Sequence, residues 1–146
     1  MVLAGLGYLA VTDPTTLAAA AQAQCLQGFE RTDAVCTAAR AWILAAFTAG
    51  QGYSADADYS PTAWLIHRTK VTKGAARGHL GWARRAAEHP AVLAVLAEGT
   101  VVSESMARII CGWTGKLPED CRQAADAILI TAARAGGDQE LSLIHI

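Results

Sequence analysis

The stretch Ser60-Pro-Thr-Ala-Trp-Leu-Ile-His-Arg-Thr-Lys-Val-Thr-Lys-Gly-Ala-Ala-Arg-Gly-His-Leu-Gly-Trp-Ala-Arg-Arg-Ala-Ala-Glu88 decides the fold. It reads as a short helix, a tight break and a longer helix. Ser60 is a natural cap for the first helix, and Pro61 suits its first position, where no N–H is needed. Thr72 caps the second helix, and Pro90 lies just past its end. Six of the chain's twelve Lys and Arg fall here, and only Glu88 opposes them.

Projected at about 100° per residue, Lys73, Arg77 and Arg84 lie within about 40° of one another. Ala75, Ala76, His79, Leu80, Trp82, Ala83, Ala86 and Ala87 fall on the opposite half. Gly74, Gly78 and Gly81 gather beside the basic stripe. A glycine inside a helix costs about 1 kcal/mol relative to alanine, so three on one flank imply a close neighbour there, either a helix backbone or a ligand. Two readings fit the stripe. One is the solvated face of an amphipathic helix. The other is a nucleic-acid contact surface of Lys73, Arg77 and Arg84, extended at its edges by Lys70 and Arg85.

Working outward, Asp13-Pro14 opens a helical stretch that runs to about Ala49. Val35, Ala39, Trp42, Ile43 and Ala46 recur at helical spacing within it. Gly28 is the only breaker, so one long helix and two helices meeting near Gly28 both fit, with the long one preferred. A span of about 50 Å exceeds what a small core covers, which predicts a homodimer through this helix as the rival to a nucleic-acid role. Gly50-Gln-Gly52 ends the helix, and Tyr53 to Tyr59 reads as an acidic loop in which Asp56 and Asp58 are solvated. Pro90 to Glu98 predicts a short helix closed by Gly99. Ser103 caps the next, with Met106, Ile109, Ile110 and Trp113 as its buried stripe. Pro118-Glu-Asp opens the last helix, whose predicted face is Cys121, Ala124, Ala125, Ile128 and Ala132, closed by Gly136-Gly137. Strand signals are sparse, so the expected fold is all-α: a small multi-helix domain with a long N-terminal helix and a central helix-turn-helix-like pair.

At 146 residues the chain suits one domain. Thirty-two alanines inflate the apolar fraction of 53% without adding much core. The net charge of −1 is unevenly spread: residues 1–66 carry −3, residues 67–89 carry +5 and the remainder carries −3. A basic island between acidic flanks is a plausible anion-binding footprint. Cys25, Cys36, Cys111 and Cys121 form no C-x-x-C pair and no zinc spacing, which predicts buried free thiols in a reducing compartment. Met1 to Thr12 is apolar but lacks a basic leader region, and no uncharged run reaches membrane-spanning length. A cytoplasmic protein with no membrane partner is expected. The tail Leu141-Ser-Leu-Ile-His-Ile146 is what the codons CTG TCT CTT ATA CAC ATC encode, and that string resembles a transposase mosaic-end adapter. These residues are therefore set apart from the fold at 13–140, and the natural protein is expected to continue beyond Glu140.

No catalytic constellation is visible. His67, His79 and His89 make no H-E-x-x-H or comparable arrangement, Gly5-Leu-Gly7 lacks the rest of a dinucleotide fingerprint, and there is no P-loop. His79, on the apolar side of its helix, reads as a hydrogen-bonded core histidine. Glu119 and Asp120 read as first-turn helix charges.

The succession Glu30-Arg31, Ala39-Arg40, Gly52-Tyr53, Ser60, Ala63-Trp64-Leu65, Arg68-Thr69, Ala75-Ala76, Ala83-Arg84, His89-Pro90, Glu98-Gly99, Ala107-Arg108, Ile110 and Leu117-Pro118 resembles domain of unknown function 222, the 13E12 repeat family. The resemblance covers roughly Asp13 to Glu140. It departs from the family pattern at Gly112 and Gly115, which flank Trp113-Thr114 where more polar, often acidic residues are expected. The resemblance implies an actinobacterial helical domain N-terminal to an HNH endonuclease domain. The chain has no asparagine and no HNH motif. The implied role is therefore that of a non-catalytic fragment that binds or positions nucleic acid, with no cofactor of its own. The divalent metal would belong to the nuclease part, and the rival role is a helical dimerisation module that regulates that nuclease.

Overall fold

Helix N-caps divide the chain where the sequence places them. The computed structural model describes residues 2–136, which form seven α-helices and no strand. They are α1 Val2–Val11, α2 Ala19–Ala49, α3 Pro61–Thr69, α4 Lys73–Glu88, α5 Pro90–Glu98, α6 Glu104–Thr114 and α7 Glu119–Gly136. The Ser60, Thr72 and Ser103 hydroxyls accept the Ala63, Ala75 and Met106 N–H groups at 3.1, 3.2 and 3.2 Å. Each contact satisfies one of the donors that a helix start leaves without an intrahelical partner. The tail residues set apart in the sequence, Leu141 to Ile146, lie outside the described residues.

The long helix is one piece across Gly28, but it begins later than Pro14. Pro14–Thr16 is a separate 3₁₀ turn capped by Asp13, and Leu17 and Ala18 are extended. The Gln22 side chain donates to the Pro14 carbonyl at 2.9 Å and ties that turn to the helix start. At the other end, Gln51 takes the left-handed conformation with φ 53°. The Phe47 ring lies over Gly52, where a Cβ would sit 2.4 Å from two ring carbons, so only glycine admits that approach.

The inner face of α2 organises the core. Its Ala34, Ala38 and Ala41 meet Trp82 and Ala86 of α4, Val92, Leu93 and Leu96 of α5, Ile110 of α6 and Ala133 of α7. Alanine at the centre lets neighbouring helices come close while the branched side chains of α5 fill the remaining volume. A second cluster forms near the C-terminal end of α2, from Leu44, Leu65, Ala76 and Ala83 with Phe47 and Trp64 packed against them. Gly99 ends α5 against α2. It adopts φ +77°, and a Cβ there would lie 2.9 Å from a Val35 methyl carbon. No residue of α2 before Ala34 is buried, so the N-terminal half of the helix extends past the core.

Four expectations are corrected. The buried face of α6 is Ala107, Ile110, Cys111 and Thr114, with Met106, Ile109 and Trp113 half-buried beside it. The buried face of α7 centres on Asp126 and Ala133; Cys121, Ala124 and Ile128 are exposed. Both helices are turned so that the polar Thr114 and Asp126 face inward toward His89. Of the four free thiols only Cys111 is buried, while Cys36 and Cys121 are exposed. The segment 52–56 is a 3₁₀ turn, and its Asp56 and the following Asp58 are held by side chains of α3. Among the described residues no helix is long and apolar enough to cross a membrane.

Candidate functional site

The turn between α3 and α4 sets the geometry of the basic surface. Lys70 closes α3 in the left-handed conformation, φ 64°, and Thr72 begins α4 two residues later. Ala76, Trp82, Ala83 and Ala86 point into the protein, which turns Lys73, Arg77 and Arg84 outward on a single face. All three are exposed, as is Lys70. Arg85 is half-buried because its guanidinium lies over the Trp82 ring, 4.8 Å from the centroid. Trp82 in turn donates its indole N–H to Glu104 at 3.1 Å, and Glu104 also pairs with Arg108.

The electrostatics of this face are one-sided. Among the described residues the ion pairs join Asp58 to His67, Asp56 to Arg68, Asp126 to His89, Glu104 to Arg108 and Glu98 to Arg134. None uses Lys70, Lys73, Arg77, Arg84 or Arg85. The first turn of α4 has no acidic residue, so Lys73 sits at the positive end of the helix dipole. A cation there is unfavourable by about 0.3–1 kcal/mol. Gly74 and Gly78 have nothing within 4 Å of a Cβ position. Among the described residues no helix covers them, and the surface beside the cations is open. Gly81 is buried, with the guanidinium groups of Arg85 and Arg84 3.6 and 3.8 Å from its Cβ position.

The acidic turn anchors α3 instead of floating in solvent. Trp64 donates its indole N–H to Asp56 at 2.7 Å, Arg68 lies 3.4 Å from the same carboxylate, and His67 Nδ1 is 2.8 Å from Asp58 Oδ1. Arg68 is therefore engaged locally, which leaves the cations of α4 and Lys70 as the outward charge. His79 is half-buried and makes no hydrogen bond within the described residues. Burial holds its pKa below the ordinary histidine value, and the nearby Arg40 charge adds to this.

The hydrogen-bonded core histidine is His89. Its Nδ1 lies 2.8 Å from Asp126 Oδ2, and the Thr114 hydroxyl donates to Asp126 Oδ1 at 2.5 Å. Each of the three residues is only 2% exposed. An aspartate–histidine pair is the geometry of an acid–base dyad, but this one has no edge that a substrate in solution can reach, so it locks helices together. The sequence signal was an acid, Asp126, in an otherwise apolar segment Ala124-Ala125-Asp126-Ala127-Ile128. Beside it, burial pushes the Cys111 thiol up to about 12, with the Asp126 carboxylate contributing next, so this thiol stays protonated and unreactive. Among the described residues no three or more His, Cys, Asp or Glu side chains are grouped to hold a metal ion. No family model, curated protein or solved structure matches the chain.

Proposed function

We propose that the chain is a nucleic-acid-binding helical domain whose α3–α4 unit contacts the phosphate backbone of duplex DNA through Lys70, Lys73, Arg77, Arg84 and Arg85. One observation carries this reading. Five cations gather on and beside one helix face, and none of them pairs with an acid among the described residues. Lys73 to Arg84 spans about 16 Å of helix. Contacts of this kind fix position on a duplex and carry little base sequence information. The likeness of the sequence to the 13E12 repeat family extends the reading. In it, the domain holds duplex for an HNH-type nuclease domain of a longer parent protein, and the divalent metal belongs to that nuclease.

Fluorescence anisotropy with a labelled duplex at several salt concentrations tests the proposal. With about three to five phosphates neutralised, log affinity falls against log salt with a slope of roughly −3 to −4.5. Replacing Lys73, Arg77 and Arg84 together by glutamine reduces that slope by up to about three and leaves the helical circular dichroism unchanged. Absence of binding at low salt by the folded chain overturns the proposal and leaves the stripe as a solvated face.

A further inference from the structure

Burial divides α2 into two unlike faces. The inner face packs into the core through Ala34, Ala38, Ala41 and Leu44. The outer face bears Phe29, Val35, Cys36, Ala39, Trp42 and Ile43, all exposed. Val35 and Trp42 are each 43% exposed and Ile43 is 71% exposed. Projected at about 100° per residue, this face runs from Phe29 to Ala46 without a charged residue, bordered by Arg31 on one edge and by Asp33 and Arg40 on the other. Scattered exposed apolar side chains are ordinary, but a continuous uncharged row on a helix that outruns its own core marks an interface.

We propose that this face is a homodimer interface, on which a second copy of the chain lays its own α2 antiparallel about a two-fold axis passing between Val35 and Cys36. The register follows from complementarity. Gly28 of one copy faces Ile43 of the other, Phe29 faces Trp42, and Thr32 faces Ala39. Nothing lies within 4 Å of the Cβ position of Gly28, so there is room for the Ile43 side chain. Two-fold symmetry sets each edge of the face beside the same edge of the second copy. Asp33 of each copy then comes beside Arg40 of the other. The row from Phe29 to Ala46 is about 27 Å long and about 10 Å wide, a footprint of roughly 270 Å² per copy. Two such footprints supply about half of the roughly 1,000 Å² of a specific interface, so apolar surface beyond this row completes it. The exposed Leu3, Tyr8 and Val11 of α1 supply further apolar area at the same end of the molecule as Leu26 and Phe29. This inference stands independently of the basic face on α4.

Sedimentation equilibrium of the full chain, with circular dichroism on the same samples, tests it. The chain sediments as a dimer at micromolar concentration. Ile43→Arg weakens dimerisation by about ten-fold or more without changing helicity, because the side chain is outside the core. Asp33→Arg and Arg40→Asp each weaken the dimer, and the double exchange recovers it. A short bis-maleimide links Cys36 to Cys36, and Cys36→Ser removes the cross-link but keeps the sedimentation profile. A chain that stays monomeric throughout, a dimer indifferent to Ile43→Arg, or cross-linking through Cys121 in place of Cys36 overturns the proposal.

Discussion

His89 and Asp126 stand 37 positions apart in the sequence, yet the imidazole Nδ1 and carboxylate Oδ2 are 2.8 Å from each other, buried where four helices converge. His89 is the last residue before α5 and the cap of α4, Asp126 is on α7, and Thr114 at the end of α6 donates its hydroxyl to the same carboxylate. The network ties the C-terminal helices to the turn that follows the basic helix. It thereby holds α4 in place from a distance.

Asp126→Ala leaves both His89 and Thr114 without their partner. Removing one member of a buried hydrogen-bonded pair costs about 3–5 kcal/mol, and urea unfolding of the variant should fall by that amount. Thr114→Val keeps the shape and loses only the hydroxyl, at about 1–3 kcal/mol. The double variant should lose less than the two single losses combined, because the sites share a carboxylate. A cost for Asp126→Ala below about 1 kcal/mol contradicts the assigned role.

Cys111 makes stability depend on pH on the alkaline side. Its folded pKa is raised to about 12 from the ordinary 9.0, first by burial and then by the Asp126 charge. Above pH 9.0 the unfolded chain loses the thiol proton while the folded chain keeps it, so the folded state binds more protons and stability falls as pH rises. Below 9.0 the contribution is fully present, and it is lost progressively up to about 12. Denaturant unfolding between pH 8 and 10 should therefore show a downward slope that Cys111→Ala reduces. Thiol titration of the native protein should modify the exposed Cys121 and leave Cys111 unmodified until unfolding.

Gly74→Ala and Gly78→Ala separate folding from binding. Both positions open onto empty space and neither has a positive φ, so alanine fits. Each change should stabilise the helix by up to about 1 kcal/mol, visible as a higher midpoint in urea. If a phosphate backbone approaches this flank, the double variant binds duplex more weakly while its salt slope is unchanged, since no charge has been removed. Equal binding by the stabilised variant places the duplex away from the glycines.

Apart from α1, which the sequence reading left unassigned, helix identity, most helix ends and the outward direction of the basic stripe were legible in the sequence because they are local. A serine or threonine cap acts within three residues, as at Ser60, Thr72 and Ser103, and the alanine-rich background favours helix wherever no breaker intervenes. On α4 the contrast between Trp82 and Leu80 on one side and Lys73, Arg77 and Arg84 on the other determined the exposed face before any neighbour was known.

Tertiary structure decided what such contrast could not. On α2 apolar residues surround the helix, so Val35, Trp42 and Ile43 competed with Ala34, Ala38 and Ala41 for the core. The smaller set won because α4 and α5 approach closely only over alanine. On α7 the apolar side chain of Ile128 is left in solvent because Asp126, once paired with His89, is better buried than exposed. That pairing depends on helices α5, α6 and α7 arriving together, and an interaction between residues so far apart in the chain has no local periodicity by which to be read.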